Sequence, residues 1–379
     1  MHILYIYSEL TTKGGADKII VDKANYLVDH GCDVTIVTES QMGRETVFPL
    51  DSRVKHIDLG LDFNEQYRHG PIRRFCIYLR LMRQYKRKLR QVLKQEKADI
   101  AITTFGRSAN VLPYIDDGSV KIGEAHTTMR NLRSLHLMEQ KGGLYGLLAR
   151  HMRRKMVSSA AKMKTLVTLT PEDANDWKGI SDVRVIPNPI PPLSEVPAKL
   201  DNKQALMVGR YNDAKGYDYL IPAWEIVHSR HPEWILNVYG SGELHDQVVK
   251  WIEEHHLQQS IILHDPVNNI MDKYLESSIC VLSSRYEGFS LVIAEAMSCG
   301  VPCVSFDCPH GPRNIIRNGE DGLLVEYLNV QALADGICRL IDDDALRRTM
   351  GDKARQNIRR FAKETVMQQW MELFNSITE

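Results

Sequence analysis

The stretch "HILYIYSELTTKGGADKIIVDKANYLVDHGCDVTIVTES", residues 2–40, decides the fold. "HILYIY" is a short, wholly apolar run and reads as a buried strand. "SELTTKGGADK" (residues 8–18) is a loop, and "ADKIIVDKANYLVDHG" has helical spacing and stops at Gly31. "DVTIVTES" is a second buried strand. Two strands that are apolar throughout, joined by a helix, call for a parallel sheet covered on both faces.

Downstream the same rhythm continues. "ADIAITTF", "KIGEAHT" and "TLVTLT" are further strand candidates. Residues 186–199, "IPNPIPPLSEVPAK", hold five prolines and interrupt it, as an interdomain linker would. It then restarts with "ALMVGRY", "ILNVYGSG", "IILHDPV", "ICVLSS", "VPCVSF" and "GLLVEY", with helices between most of them, and closes on helical sequence. The reading is α/β: two Rossmann-like, doubly wound parallel-sheet domains, 1–185 and 200–361, around linker 186–199. In such sheets ligands bind beyond the carboxyl ends of the strands.

Bulk properties bound the function less. A chain of 379 residues exceeds what one core usually serves. Lys plus Arg and Asp plus Glu both total 48, so overall charge selects no partner. The seven cysteines are odd in number, include no CxxC pair and mostly sit in apolar runs. They read as reduced, buried thiols of a cytoplasmic protein, with no metal site. The apolar start is too short for a signal peptide, and no apolar run reaches membrane-spanning length.

Several loops carry residues suited to anions and polyols. Gly14 and Gly15 sit ahead of a helix start, where backbone can approach an anionic ligand, although the GxGxxG spacing of dinucleotide sites is missing. Arg210 leaves a strand and Lys215 precedes a helix, so both can reach one diphosphate; as isolated cations they would equally be solvated loop residues. Gly240 and Gly242 mark a third glycine-rich turn. In "SRYEGFSLVIAEAMSCGVPCV" (284–304), Glu287 lies in a loop and Glu295 one to two turns into the following helix. The amides of Phe289, Ser290 and Leu291 would be free donors at that helix start. A helix dipole accounts for one acid near its N-terminus. It does not account for Glu295 in an otherwise apolar and small-residue segment, where an unpartnered carboxylate is costly.

Taken in order, "GG" at 14–15, "GR" with Lys215, and the two glutamates in "EGFSLVIAE" make the chain resemble the retaining GT-B glycosyltransferases of family 4. It is most similar to bacterial enzymes that extend surface polysaccharides or polyprenyl-diphosphate-linked glycans. The resemblance spans the chain and is strongest from 205 to 326. It implies two domains facing across a cleft, acceptor in the first and nucleotide-sugar donor in the second, with the C-terminal helix (362–379) packed back on the first. It implies roles as well. Glu295 would hold the ribose, Glu287 and Gly288 the donor sugar, and Arg210 and Lys215 the leaving diphosphate. Pro266 and Val267 would meet the base, and His126 in "GEAHTT" would lie near the donor sugar. The donor implied is a UDP-sugar, with no metal or other cofactor. Transfer to a hydroxyl of a glycan or lipid-linked acceptor would retain anomeric configuration by front-face displacement, with the leaving phosphate helping to take the acceptor proton. Two positions depart from the family pattern: Arg313-Asn314 stands where many members have a Glu, and Asp265 where a Gly commonly precedes the base-binding loop.

Residues 72–97 contain ten Lys or Arg and one acid. Ile72, Phe75, Leu79, Met82, Leu89 and Leu93 read as the apolar side of a helix, with Arg80, Arg83, Arg87, Arg90 and Lys94 on the neighbouring face. A solvated face is one reading. Contact with an anionic membrane, giving a cytoplasmic enzyme peripheral to the inner face, is the other reading favoured here; nucleic acid is disfavoured because no base-reading module accompanies the stripe. Two rival functions remain: a UDP-sugar epimerase on the same architecture, which would act on donor alone, and a non-catalytic membrane or nucleic-acid binding module, which leaves the two glutamates unexplained.

Overall fold

The computed structural model describes residues 1–378 and divides into two compact units. The first comprises Met1–Ile186 with the residues from Met367 onward; the second is Pro187–Val366.

The first unit carries seven strands: β1 (His2–Tyr7), β2 (Asp33–Thr38), β3 (Lys55–Asp58), β4 (Ile100–Thr103), β5 (Val120–Glu124), β6 (Thr165–Thr168) and β7 (Val183–Val185). They lie in the order β3-β2-β1-β4-β5-β6-β7 and every pair is parallel. Its helices are α1 (Gly15–Asp29), α2 (Pro71–Glu96), α3 (Leu135–Gln140), α4 (Gly143–Ala160) and α5 (Pro171–Asp176).

The second unit repeats the plan with β8 (Gln204–Val208), β9 (Ile235–Tyr239), β10 (Ile261–His264), β11 (Ile279–Leu282), β12 (Cys303–Phe306) and β13 (Gly322–Val325), ordered β10-β9-β8-β11-β12-β13 and again parallel. Around it lie α6 (Tyr217–Arg230), α7 (His245–Glu254), α8 (Ile270–Leu275), α9 (Leu291–Ser298), α10 (Pro312–Ile315), α11 (Val330–Asp342) and α12 (Asp344–Asn357). The last helix is α13 (Lys363–Thr378). Strand order reverses between β1 and β4 in one sheet and between β8 and β11 in the other. That reversal opens a crevice at the carboxyl edge of each sheet.

The central strands are buried almost throughout, as their unbroken apolar sequence requires. β3 and β7 were not visible as strands in the sequence. Both are short edge strands with largely exposed residues, so neither needs an apolar run. Of the cysteines, six are buried and free; Cys76 departs from the expected burial and is exposed on α2.

α2 forms where the basic segment was read, but its apolar side is partly different. Ile77, Leu81, Tyr85, Leu89 and Leu93 pack against Leu4, Ile6 and Ala101 of the sheet. Ile72 and Phe75 are 84% and 61% exposed, and Leu79 is also exposed. Each four-residue step turns the stripe by about 40°, so from Ile77 to Leu93 it winds around the helix while its members stay buried. The aliphatic and aromatic residues of the first turns therefore lie outside the core. No helix among the described residues is long and apolar enough to cross a membrane.

Candidate functional site

The second sheet's reversal point gathers three loops. After β8 the chain passes Gly209 and Arg210 and turns at Gly216 (φ 62°) into α6. After β11 it passes Ser283–Ser290 into α9. Gly216 is required there: a Cβ would stand 2.2 Å from the Ser283 carbonyl oxygen. The two loops are also joined by side chains. Lys215 Nζ lies 2.8 Å from Glu287 Oε1, and Ser284 Oγ donates to the same oxygen at 2.7 Å. Lys215 and Glu287 are 17% and 13% exposed. Gly311 (φ 82°) closes over this pair; a Cβ there would meet Glu287 Cβ at 2.8 Å.

Next to the pair, α9 begins. Ser290 is its N-cap, yet its side chain makes no capping hydrogen bond, and its buried Oγ has no partner among the described residues. The first helical bond runs from Ala294 N–H to the Ser290 carbonyl. The amides ahead of it are the donors a helix start leaves unpaired. Gly288 is half-buried and Phe289 buried, with its ring edge-on to Phe361 at 5.3 Å. Arg210 is exposed and has no ion-pair partner among the described residues. A cation, a lysine neutralised only by a carboxylate, and a helix N-terminus thus converge at one strand edge, which is an anion-binding arrangement.

Glu295 sits one turn further in. It is half-buried, and the buried Tyr274 of α8 donates to its Oε2 at 3.2 Å. That hydroxyl answers the energetic question raised by an acid in apolar sequence, and burial together with the Glu295 charge raises the Tyr274 pKa well above the usual phenol value. Pro266 and Val267 lie exposed in the loop after β10. Gly240 has a packing requirement of its own: a Cβ there would fall 1.9 Å from the Gly209 carbonyl oxygen, so it lets two strand-end turns pass.

In the first unit, Gly14 caps α1 in extended conformation and Gly15 opens it. The loop before them is organised by Asp17, which is buried and accepts from Tyr7 Oη (2.8 Å) and from Thr12 N–H and Oγ1 (3.0 and 2.9 Å). His126 follows β5. Its imidazole is buried, 3.3 Å from Glu124 Oε1, and neither ring nitrogen has a hydrogen-bond partner among the described residues. Glu124 is bound by the buried Lys23 at 2.7 Å, and Lys23 Nζ stands 3.4 Å from the Trp370 ring centre of α13. Burial pushes the pKa of Lys23 down, and likewise that of His126, against the pull of Glu124. Burial pushes the other way on Glu124, but the Lys23 charge and hydrogen bond hold it low. His126 is accordingly a neutral, unsatisfied imidazole beside a buried ion pair.

Sequence reasoning missed Ser284, Tyr274, Gly311, Asp17, Lys23 and Glu124. Only Gly311, in the turn "HGP", and Glu124, in the otherwise small and apolar "KIGEA", left a readable signal.

Comparison with known proteins agrees with this architecture. Residues 193–357 match the family model "Glycosyl transferases group 1". The chain is 25% identical over 374 residues to an uncharacterized glycosyltransferase of Haemophilus influenzae, covering 97% of this chain and 98% of that one. It is 32% identical over 170 residues to the poly(ribitol-phosphate) alpha-N-acetylglucosaminyltransferase of Staphylococcus aureus, covering 45% of this chain and 34% of the other. A TarM variant of S. aureus, solved with fondaparinux, alpha-GlcNAc-glycerol and UDP, superposes with a TM-score of 0.82 at 18% identity over 99% of both chains. The fold is GT-B, and fold and family match together support a GT-B glycosyltransferase.

Proposed function

We propose that this protein is a retaining, family 4-type glycosyltransferase that moves a hexosyl or N-acetylhexosaminyl group from a UDP-sugar to a hydroxyl of a glycan or lipid-linked acceptor in polysaccharide biosynthesis. The observation that carries this reading is the Lys215–Glu287 pair beside the start of α9, at the carboxyl edge where the second strand order reverses.

In the free protein Glu287 neutralises Lys215. A diphosphate entering this edge takes over Lys215, joins Arg210 and the amides at Phe289, Ser290 and Leu291, and releases Glu287 to accept from sugar hydroxyls. Those cations and dipoles then face the charge that develops as the bond from the sugar's anomeric carbon to phosphate breaks. The acceptor oxygen bonds the same carbon from the same face, and its proton passes to the departing phosphate. Gly288 lets the chain lie close to the sugar. Glu295, oriented by Tyr274, receives the ribose hydroxyls, and Pro266 and Val267 border the base. In the first unit, Gly14, Gly15 and His126 are assigned to substrate binding, His126 as a neutral imidazole. With this much positive charge supplied by the chain, the transfer requires no metal, and chelation with EDTA will leave the rate unchanged.

The exposed cationic face of α2 provides contact with an anionic membrane surface, consistent with a peripheral enzyme acting on a membrane-bound acceptor.

The test is calorimetric titration of UDP, GDP and ADP onto the purified protein and onto Glu295→Ala. Selective UDP binding that weakens about tenfold or more in the variant supports the assignment. Binding of none of the three removes it, and product formed from UDP-sugar without any acceptor would make the protein an epimerase instead.

A further inference from the structure

A cavity of about 780 Å³ opens in the first unit, lined by none of the residues assigned above. One wall is Gly106 and Arg107, which follow β4, together with Arg133; the other is the first turns of α2 and the turn before it. It therefore lies at the carboxyl edge of the first sheet beside the strand-order reversal, where ligands of this fold class bind.

Its chemistry is uneven. Three guanidinium groups, Arg74, Arg107 and Arg133, line it, and no acidic residue does among the described residues. Arg107 is partly answered by the buried Glu39 at 2.7 Å. Arg74 rests over the Tyr67 ring at 4.4 Å and has no carboxylate partner among the described residues. Among the described residues Arg133 donates to main-chain carbonyls, Nε to Phe105 at 3.2 Å and Nη2 to Gly106. Its side chain is exposed, and partial loss of water around it pushes its pKa down. An arginine does not deprotonate, so Arg133 remains a fixed cation, held by carbonyls and open to an arriving anion.

The backbone holds this arrangement under strain. Phe105 and Arg133 have φ of 59° and 53°, a region that costs free energy for any side chain other than glycine. The Arg133–Phe105 hydrogen bond joins these two strained positions and fixes the guanidinium at the wall. Opposite it, Tyr67, Phe75 and Tyr78 leave their rings exposed next to the cations. Flat apolar faces alongside fixed charge suit the C–H face of a sugar or polyol attached to an anionic group.

We propose that this cavity binds a phosphate ester of a sugar or polyol, the acceptor or a repeat of it, with Arg74 and Arg133 on the phosphoryl oxygens and the Tyr67, Phe75 and Tyr78 rings on the adjoining carbon skeleton. This rests on the reading that the first unit receives the acceptor of a glycosyl transfer. A guanidinium held by two main-chain carbonyls distinguishes the cavity from the stripe further along α2: Arg133 is fixed in place at the cavity wall, beside the Tyr67, Phe75 and Tyr78 rings.

The test titrates glycerol 3-phosphate, with glycerol as its uncharged counterpart, onto the full chain saturated with UDP. Arg133 also ties two loops together, so the primary variants are Arg74→Ala, Arg74→Lys and Phe75→Ala, all on the exposed start of α2. The expected result is binding of glycerol 3-phosphate but not glycerol, weakened about tenfold in Arg74→Ala. Arg74→Lys should recover part of the affinity, Phe75→Ala should lose several-fold, and added salt should weaken all of them. Equal binding of both probes, or variants that bind like the parent, overturns the proposal. It also falls if Arg74→Ala lowers binding to phosphatidylglycerol vesicles while glycerol 3-phosphate affinity stays the same, which would make this a membrane contact. Failure of UDP binding in the same experiment would instead count against the donor-site reading, leaving the phosphate isotherm to be judged separately.

Discussion

Lys215 Nζ and Glu287 Oε1 stand 2.8 Å apart and join the loop after β8 to the loop after β11. Main chain joins the same loops, Arg285 N–H donating to the Ala214 carbonyl at 2.8 Å, and these two mostly buried side chains add a second link. Each therefore has a structural partner and a proposed substrate role, and the two must be separated by experiment. Removing one partner strands the other charge in a poorly solvated place, so Lys215→Ala and Glu287→Ala should each destabilise the fold while the double variant costs less than their sum. A coupling of about 1–3 kcal/mol is expected from denaturant unfolding.

Activity should behave differently. Glu287→Ala is expected to lower kcat by two to three orders of magnitude, roughly the effect of losing a group directed at developing charge. The decisive control is Glu287→Gln, which keeps the shape and the Ser284 hydrogen bond. Near-normal turnover by Glu287→Gln with an intact melting transition would remove Glu287 from the chemistry.

Gly240 allows a test that does not depend on ligands. A methyl group there would be pressed against the Gly209 carbonyl, and both atoms are backbone or fixed to it. Gly240→Ala should therefore destabilise the protein by about 2–4 kcal/mol through displacement of the turns after β8 and β9. Gly319, which has no neighbour within contact of a Cβ, is the comparison at positive φ. Gly319→Ala should cost only about 1 kcal/mol, from backbone conformation alone. Similar losses at both positions would mean the β8 and β9 turns yield easily.

Most of the architecture could be read from the residues because parallel, doubly covered strands must be apolar throughout, and "HILYIY", "ICVLSS" and "VPCVSF" have no other plausible place. β3 and β7 escaped because an edge strand buries little, and "KHID" and "VRV" look like loop. The phase of α2 was misread for a related reason: Ile72, Phe75 and Leu79 have core chemistry but lie on the exposed side, and only contact with Leu4, Ile6 and Ala101 reveals which apolar residues meet the sheet. In the site, the loops and the α9 start were legible from strand ends and glycines. The pairings were not: nothing along the chain links Tyr274 to Glu295, Lys23 to Glu124, or Arg133 to the Phe105 carbonyl, since each joins segments brought together only by the sheet.

The cationic face of α2 yields a prediction about surfaces. Arg83, Arg87 and Arg90 are exposed, while the buried stripe of the helix is made of other residues, so reversing their charge leaves the core untouched. The triple variant Arg83→Glu, Arg87→Glu and Arg90→Glu should melt like the parent and sediment less with phosphatidylglycerol vesicles. Each cation near such a surface contributes about 1 kcal/mol, and the difference should shrink as salt shortens the screening length. Indistinguishable sedimentation at low salt would leave α2 a solvated helix.

Asp173 supplies a pH signature for the first unit. It is buried at the start of α5, accepting from Met129 N–H at 2.7 Å and from Trp177 Nε1–H at 3.4 Å. Burial pushes its pKa from 3.8 up to about 6, and the two donors only partly oppose that. A carboxyl whose folded pKa is raised binds more protons folded than unfolded between those values. Stability must therefore fall as pH rises from about 4 to 6 and stay level above. The shift corresponds to roughly 3 kcal/mol at most. Asp173→Asn keeps the size and the acceptor toward Met129 while removing the titration. Urea unfolding of both proteins at pH 4, 5, 6 and 7 should show the parent losing roughly 2–3 kcal/mol relative to the variant across that interval. Parallel stability curves would mean that Asp173 keeps an ordinary carboxylate pKa and that water reaches the α5 start.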